Sequence, residues 1–123
     1  MIDNKKLIYL AGPYSTPDPK ERNKRVKTLA KVAGKLIKDK DVYVFSPITH
    51  GHPINLSVKE SIGYDYWLAF DKALLDTCDE MWIADLPGWE NSKGIAEEIN
   101  HCNTNGKPIR MVTKRGKVYP YVV

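Results

Sequence analysis

The architecture of this chain is clearest in the stretch Glu80-Met-Trp-Ile-Ala-Asp-Leu-Pro-Gly-Trp-Glu-Asn-Ser-Lys-Gly-Ile-Ala-Glu-Glu-Ile99. A short apolar run leads into a loop with proline and glycine and then into helical spacing, which predicts a buried strand followed by a helix. Along that helix an apolar stripe runs from Ile95 to Cys102, and Glu98 borders it. Because helical side chains lean toward the N-terminus, Glu98 should lie over the bare backbone of Gly94, with room for a ligand beside its carboxylate.

Apolar runs and helical patterns alternate along the rest of the chain, which predicts an α/β fold. The strands are short and apolar throughout, as in a parallel sheet that helices cover on both faces. In such sheets ligands bind at the carboxyl ends of the strands. The predicted elements are strands at 7–11, 42–45, 81–84 and 109–112, a first helix capped by Asp18, further helices at 59–78 and 92–103, a polar loop at 46–53, and at 117–123 either a fifth strand or a tail on a partner subunit.

Length and charge set broad limits on the protein. With 123 residues the chain can bury a core, and residues 1–123 are expected to form a single domain. The formal net charge is +4, and much of the excess lies in residues 20–40. Such a run is typical of the solvated face of an amphipathic helix, and it would also attract an anionic small molecule. No recognised nucleic-acid-binding motif accompanies it, so nucleic acid is not an expected partner.

The sequence also bears on location and on bound groups. It begins without the apolar stretch of a signal peptide, and no apolar run approaches the roughly 20 residues of a membrane span. Cys78 and Cys102 form no CxxC pair and are expected to be buried thiols, so we expect a cytoplasmic protein without a membrane partner. His50 and His52 lack a third ligand of matching type, and no GxGxxG or P-loop is present, so neither a metal nor a cofactor is expected.

Two acids are the main candidates for chemistry. Glu97 points about 100° away from Glu98 on the predicted helix, so Glu98 is the functional candidate of the pair unless it is simply a half-exposed helix glutamate. Asp71 falls inside an apolar helical stripe between Trp67 and Leu74, where a carboxylate is costly unless it is paired or protonated. Burial would raise the pKa of Asp71 and suit it to proton donation, although it could instead cap a nearby loop.

Further residues are candidates for ligand binding near the strand ends. Asp85 follows the core of a strand and could bind a sugar hydroxyl or serve the structure. Ser92 is placed to cap a helix, where free amides also bind anions, and Ser15 is a weaker phosphate candidate. Trp89 could stack on a base, or pack against the core or as a lid. Gly12 gives the first strand a sharp exit and is expected beside the ligand.

The chain resembles the nucleoside 2-deoxyribosyltransferase superfamily, which includes the 2'-deoxynucleoside 5'-phosphate N-hydrolases and small bacterial and phage relatives. Three short motifs carry the resemblance: Tyr-Leu-Ala-Gly-Pro-Tyr14, Asp71-x7-Asp79 and Ser92-x-Gly94-x-x-x-Glu98-Ile99. The resemblance implies a flavodoxin-like, Rossmann-like three-layer sandwich around a parallel sheet of four to five strands. It also implies an enzyme that acts on a glycosidic bond.

The same resemblance implies roles for individual residues. Glu98 would attack the anomeric carbon of the sugar and form a glycosyl-enzyme, while Asp71 would protonate or hydrogen-bond the departing base. Tyr14 would orient the nucleophile or contact the sugar. Water would then release the sugar in a hydrolase, whereas a second base would take it in a transferase.

The residue six positions before the nucleophile helps to choose between these outcomes. By resemblance it is an aspartate that holds the free 5'-hydroxyl in the transferases, and a serine that contacts the 5'-phosphate in the hydrolases. Here it is Ser92, which favours an N-glycosidase acting on (deoxy)nucleoside 5'-monophosphates. The alternatives are a nucleoside 2-deoxyribosyltransferase that exchanges bases and a non-catalytic nucleotide-sensing module. The resemblance also implies a homodimer or a higher homo-oligomer.

Overall fold

Residues 3–122, which a computed structural model describes, form one sheet with helices packed on both of its faces. The strands are β1 (Lys6–Ala11), β2 (Val42–Phe45), β3 (Glu80–Ala84), β4 (Ile109–Val112) and β5 (Val118–Pro120), and the helices are α1 (Pro19–Asp39), α2 (Pro47–Leu56), α3 (Tyr64–Thr77) and α4 (Lys93–Asn105). The strand order is β2-β1-β3-β4-β5, in which β5 runs antiparallel to β4 and the other pairs are parallel.

Two apolar clusters hold the three layers together. On one face of the sheet, Leu29 and Leu36 of α1 pack against strand residues such as Leu10. On the other face, Leu75 of α3 and Ile95 of α4 pack against the sheet. Every residue of β3 is buried, as expected for a central strand covered on both sides. The predicted flavodoxin-like three-layer sandwich is therefore confirmed, with four parallel strands and one antiparallel edge strand.

The prediction of a polar loop at residues 46–53 is wrong, because this segment begins α2. The Ser46 hydroxyl accepts a hydrogen bond from the Thr49 N–H at 3.4 Å, and Pro47 occupies the first helical turn. Serine followed by proline can end a strand, but it is also a helix start, since proline at the first position loses no helical hydrogen bond. Pro53 lies inside the helix and weakens the helical signal further.

Two other predicted segments, a helix from residue 59 and a strand or tail at 117–123, have different bounds in the structure. The helix predicted from residue 59 begins at Tyr64, because Gly63 is extended and forms the N-cap. The Oδ1 atom of Asn55 accepts a hydrogen bond from the Ile62 N–H at 3.0 Å, which fixes the connection between α2 and α3. The alternative of a fifth strand at 117–123 is confirmed for Val118–Pro120, while Val123 lies outside the described residues.

One buried acid belongs to the framework and not to the cavity. Glu80 begins β3 and is 4% exposed. Its carboxylate accepts hydrogen bonds from Lys6 Nζ at 2.5 Å, Trp82 Nε1 at 2.9 Å and Arg110 Nε at 3.0 Å. Burial acts to raise the pKa of Glu80, but these three donors hold it below its ordinary value. Glu80 therefore ties three adjacent strands together as a satisfied carboxylate.

The topology determines where a ligand can bind. With β1 between β2 and β3, the connection that follows β1 packs on one face, and α3 and α4 pack on the other. The carboxyl end of β1 therefore lies at a switch point, which is the usual binding position in such sheets. Among residues 3–122, none of the helices combines the length and the apolar character required to traverse a bilayer.

Candidate active site

A cavity of about 680 Å³ opens at the carboxyl end of β1, between the four helices. This volume is in the range of small-molecule sites. Most of the site residues expected from the sequence line it, namely Gly12, Tyr14, Ser15, Asp71, Ser92, Gly94 and Glu98. Much of the remaining wall comes from α2, α3 and the connection between them, and is apolar, with Pro47, Ile48, Gly51, Ile62, Trp67 and Leu68.

Glu98 faces the cavity from α4, as its helical position predicts. It is 6% exposed, and Glu97 beside it is half-buried with its carboxylate 3.7 Å from Lys72 Nζ. Burial raises the pKa of Glu98 to about 8; the hydroxyl of Tyr9 opposes this shift, and the charge of Asp71 adds to it. Glu98 is therefore a desolvated carboxyl that is held in place and accessible to a ligand.

Tyr9 holds Glu98, and the sequence reasoning missed it. It is fully buried in β1, and its hydroxyl donates a hydrogen bond to Glu98 Oε2. Burial raises the pKa of Tyr9 well above its usual value, with the nearby Glu98 contributing, so the phenol stays protonated and acts as the donor. The available signal was a tyrosine in an otherwise apolar strand, because a buried tyrosine hydroxyl usually has a partner.

Asp71 reaches the cavity from α3. Burial raises its pKa to about 7. Within residues 3–122 no side chain forms an ion pair with Asp71, and its negative charge is close enough to raise the pKa of Glu98. A carboxyl that titrates near neutral pH can both give and take a proton, which suits general acid–base chemistry.

The two glycines expected at the site have different roles. A Cβ on Gly94 would meet only Ser92 Oγ, at 3.8 Å, so the space above this helical glycine is open. A Cβ on Gly12 would lie 2.4 Å from a methyl carbon of Leu29, which no packed structure allows. Gly94 therefore leaves room for a ligand, whereas Gly12 primarily lets β1 approach α1.

One end of the cavity carries donors and positive charge. Ser92 caps α4, its Oγ accepting a hydrogen bond from the Ile95 N–H at 3.2 Å, and Lys93 follows it on the wall. From α1, Arg25 Nη1 donates to the Ser15 carbonyl at 3.0 Å and the guanidinium lies against Gly88. The sequence pattern places Arg25 on the solvated face of the first helix. Its position over the cavity depends on tertiary packing, which that pattern does not encode.

Tyr14 lines the cavity, and its hydroxyl contacts His52 and not Glu98. Its hydroxyl is 2.7 Å from Nδ1 of His52, whose Nε2 is 2.8 Å from Asn23 Oδ1. The side chain that contacts Glu98 in the structure is Tyr9, and an orienting role for Tyr14 stays a prediction. A contact between Tyr14 and the sugar stays a prediction.

Asp85 and Trp89 are not brought to the cavity wall. Both oxygens of Asp85 are occupied, Oδ1 by Trp89 Nε1 at 3.1 Å and Oδ2 by the Tyr119 hydroxyl. The Trp89 ring packs against the cluster between the sheet and α3–α4. The expected contacts of Asp85 with a sugar and of Trp89 with a base are therefore not supported by the geometry, and the two residues instead brace the 85–92 loop.

The paired histidines do not converge. His50 stacks on Phe70, with ring centroids 5.4 Å apart, while His52 contacts Tyr14. In the part of the chain that the structure describes, no three His, Cys, Asp or Glu side chains are grouped as metal ligands.

Comparisons with known proteins place this fold among its relatives. A solved structure of a 2-deoxyribosyltransferase from the psychrotolerant bacterium Bacillus psychrosaccharolyticus is similar, with a TM-score of 0.57 and 22% identity over 92% of this chain and 76% of that one. At this identity the likeness shows a shared fold. No curated protein matches the chain. A family model described as a domain of unknown function matches residues 6–114, so the chain belongs to the DUF1937 family.

Proposed function

We propose that the protein is an N-glycosidase that hydrolyses the base–sugar bond of (deoxy)nucleoside 5'-monophosphates, with Glu98 as the nucleophile. The observation that carries the proposal is the pairing of Glu98 and Asp71, two carboxyls with raised pKa values, in one cavity. A buried acid that faces a second, half-buried acid on the neighbouring helix is costly for stability, and such pairs are typical of acid–base sites.

The reaction would proceed in two steps. In the first, a Glu98 oxygen attacks the anomeric carbon, the bond to the base breaks, and Asp71 gives its proton to the departing base. In the second, water attacks the same carbon, the ionised Asp71 takes its proton, and Glu98 leaves as a carboxylate. This is the sequence of a retaining glycosidase. Positive charge that develops on the sugar would stabilise ionised Glu98 against its raised pKa.

The cationic end of the cavity supports a phosphorylated substrate. Ser92 and the free amides at the start of α4 suit an anion, and Arg25 lines the cavity with its guanidinium against Gly88, in the loop that leads to Ser92. Arg25 is anchored to the Ser15 carbonyl and lies 3.7 Å from Glu21, which holds its guanidinium in position. A 5'-phosphate at this end would leave the sugar beside Gly94 and Glu98, and the base toward α3.

Two alternatives rest on the same cavity. The protein shares its fold with a solved 2-deoxyribosyltransferase, which favours base exchange as the second candidate. A nucleotide-sensing module would need neither a raised-pKa acid nor a positioned glutamate, so Glu98 and Asp71 argue against it.

Two further properties belong to the proposal. We expect a homodimer, since several apolar side chains of α2, α3 and the connection between them are exposed: Ile54, Leu56, Val58 and Tyr66. Light scattering after size exclusion would measure this directly. A cytoplasmic location is consistent with Cys78 and Cys102, which are both free and buried.

The function is tested by incubating the protein with ribo- and deoxynucleosides and their 5'-monophosphates, and measuring the free base by chromatography. We expect release from monophosphates, at the same rate with and without an added second base. Release only in the presence of a second base would replace the hydrolase with the transferase. Release from nucleosides but not from monophosphates would contradict the phosphate contact proposed for Ser92. Tight binding of a nucleotide without any release of free base would favour the nucleotide-sensing module.

A further inference from the structure

Asn55 stands in the last turn of α2, half-buried and on the wall of the cavity. The orientation of its amide is fixed by one contact, because its side-chain oxygen receives the Ile62 N–H at 3.0 Å. A backbone N–H can only donate, so the oxygen and not the nitrogen must face Ile62. The amide NH2 group is consequently directed away from that contact.

The NH2 group of Asn55 is available to a ligand. Within residues 3–122 the only side-chain hydrogen bond of Asn55 is the one to Ile62, and its nitrogen is not sealed from solvent. An amide nitrogen carries two donors and no acceptor. Because its oxygen is turned toward Ile62, Asn55 presents the two N–H donors of its amide to whatever fills this part of the cavity.

The base should occupy the part of the cavity that Asn55 lines. Trp67 packs so closely on α2 that a Cβ on Gly51 would lie 3.2 Å from its ring, and this contact sets an apolar wall on the α2–α3 side. Asp71 projects from α3 one turn beyond Trp67. The guanidinium of Arg25 lies at the other end, against Ser15 and Gly88. Lys93 Nζ lies 4.9 Å from the centre of the Tyr64 ring at the start of α3. An apolar, flat base fits the first end, and a phosphate fits the second.

We infer that Asn55 selects the base, and that the cavity prefers nucleobases with a ring carbonyl over the matching bases with an amino group. This rests on the proposed function for the orientation of the nucleotide. The carbonyl oxygen of a 6-oxopurine or a 4-oxopyrimidine accepts a hydrogen bond from the Asn55 NH2 group. An amino group at the same position sets donor against donor and leaves both unsatisfied. The expected discrimination is roughly ten- to hundredfold in kcat/KM.

Substitution of Asn55 can reverse this preference without breaking the contact to Ile62. Asn55→Asp keeps an oxygen for the Ile62 N–H and replaces the two donors with an acceptor. The test compares two pairs of 2'-deoxynucleoside 5'-monophosphates. One pair carries hypoxanthine or adenine as the base, and the other carries uracil or cytosine. The wild type should favour the oxo member of each pair, and Asn55→Asp should favour the amino member. Asn91→Asp adds the same charge near the start of α4, and should leave the oxo-to-amino ratio unchanged.

A second arm separates this inference from the proposed reaction. Free hypoxanthine and free adenine have no sugar, so their binding, followed by calorimetry, needs no turnover. If hypoxanthine binds more tightly and Asn55→Asp reverses the order, the inference holds even when no nucleotide loses its base, and only the proposed function fails. Equal binding of the two bases, no binding of either, or the same ratio in wild type and Asn55→Asp would each overturn it.

Discussion

The hydroxyl of Tyr9 donates a hydrogen bond to Glu98 across 89 positions of sequence, from the first strand to the last helix. Both side chains are buried. Because Tyr9 donates, the bond stabilises the ionised form of Glu98 and lowers its pKa against the opposing effect of burial. The contact therefore positions the proposed nucleophile and keeps part of it charged.

Tyr9→Phe should reduce base release in a pH-dependent way. Without the donor the pKa of Glu98 rises further, so less of it is ionised at low pH. With a shift of about one pKa unit, the deficit against wild type should be about tenfold below pH 7. It should shrink as the pH rises above the pKa of Glu98, about 8 in the wild type.

The pH dependence distinguishes this role from simple structural damage. A deficit that is equal at every pH would mean that Tyr9 serves only the fold. Tyr43→Phe is the matched control, because Tyr43 is an exposed strand tyrosine whose hydroxyl bonds Asp3 at 2.6 Å, far from the cavity. Its pH profile should match that of the wild type.

Gly94→Ala should separate stability from activity. The added methyl meets only Ser92 Oγ at 3.8 Å, so the variant should fold, and the helix should gain up to about 1 kcal/mol. The methyl would occupy ligand space beside Glu98, so base release should fall at least tenfold. Gly34→Ala, in α1 with nothing within 4 Å, should give a similar gain with full activity. Equal rates of base release by Gly94→Ala and Gly34→Ala would contradict the position of Gly94 beside the ligand.

Glu98→Gln should be more stable than the wild type at alkaline pH. The pKa of Glu98 is raised from 4.5 to about 8 in the folded state. Between these values the folded state keeps a proton that the unfolded state has lost, so the free energy of unfolding falls as pH rises. Glu98→Gln lacks this loss. Its free energy of unfolding should exceed that of the wild type by on the order of 1–3 kcal/mol at pH 8, and by little at pH 5.

Urea unfolding at the two pH values measures this difference. Asp71 has a raised pKa as well, so some decline with pH should remain in Glu98→Gln. Glu97→Gln, on the adjacent and more exposed residue, should keep the wild-type slope. Identical slopes in all three proteins would contradict the burial of an ionisable Glu98.

Asp85→Ala should act on the loop and not on the reaction. The hydrogen bond from Tyr119 to Asp85 raises the pKa of Tyr119 to about 12. In the variant this pKa should return toward its ordinary value, measured by ultraviolet titration with Tyr119→Phe as the reference. Base release should stay within threefold of the wild type, whereas Asp71→Asn should lose about a hundredfold. A comparable loss of base release in Asp85→Ala would show that Asp85 takes part in the reaction or in substrate binding.

The sequence predicts those features of the fold that depend on local pattern. The apolar run of β3 and the stripe through Ile95 are enough to locate a strand and a helix, and to turn Glu98 inward. The contact between Tyr9 and Glu98 and the position of Arg25 over the cavity depend on packing between distant segments, which periodicity does not encode. The helix that begins at Pro47 was missed because a proline after serine fits both a strand end and a helix start.

The central claim, that Glu98 is the nucleophile, is tested most directly by trapping the glycosyl-enzyme. A 2'-fluoro-2'-deoxyarabinosyl nucleoside 5'-monophosphate slows the second step, because fluorine destabilises the positive charge needed to release the sugar. Intact-mass spectrometry with peptide mapping should find one fluorosugar phosphate per chain, on the peptide that carries Glu98, and none in Glu98→Gln. Free base released from natural monophosphates by Glu98→Gln at the wild-type rate, or an adduct on another residue, would contradict the account.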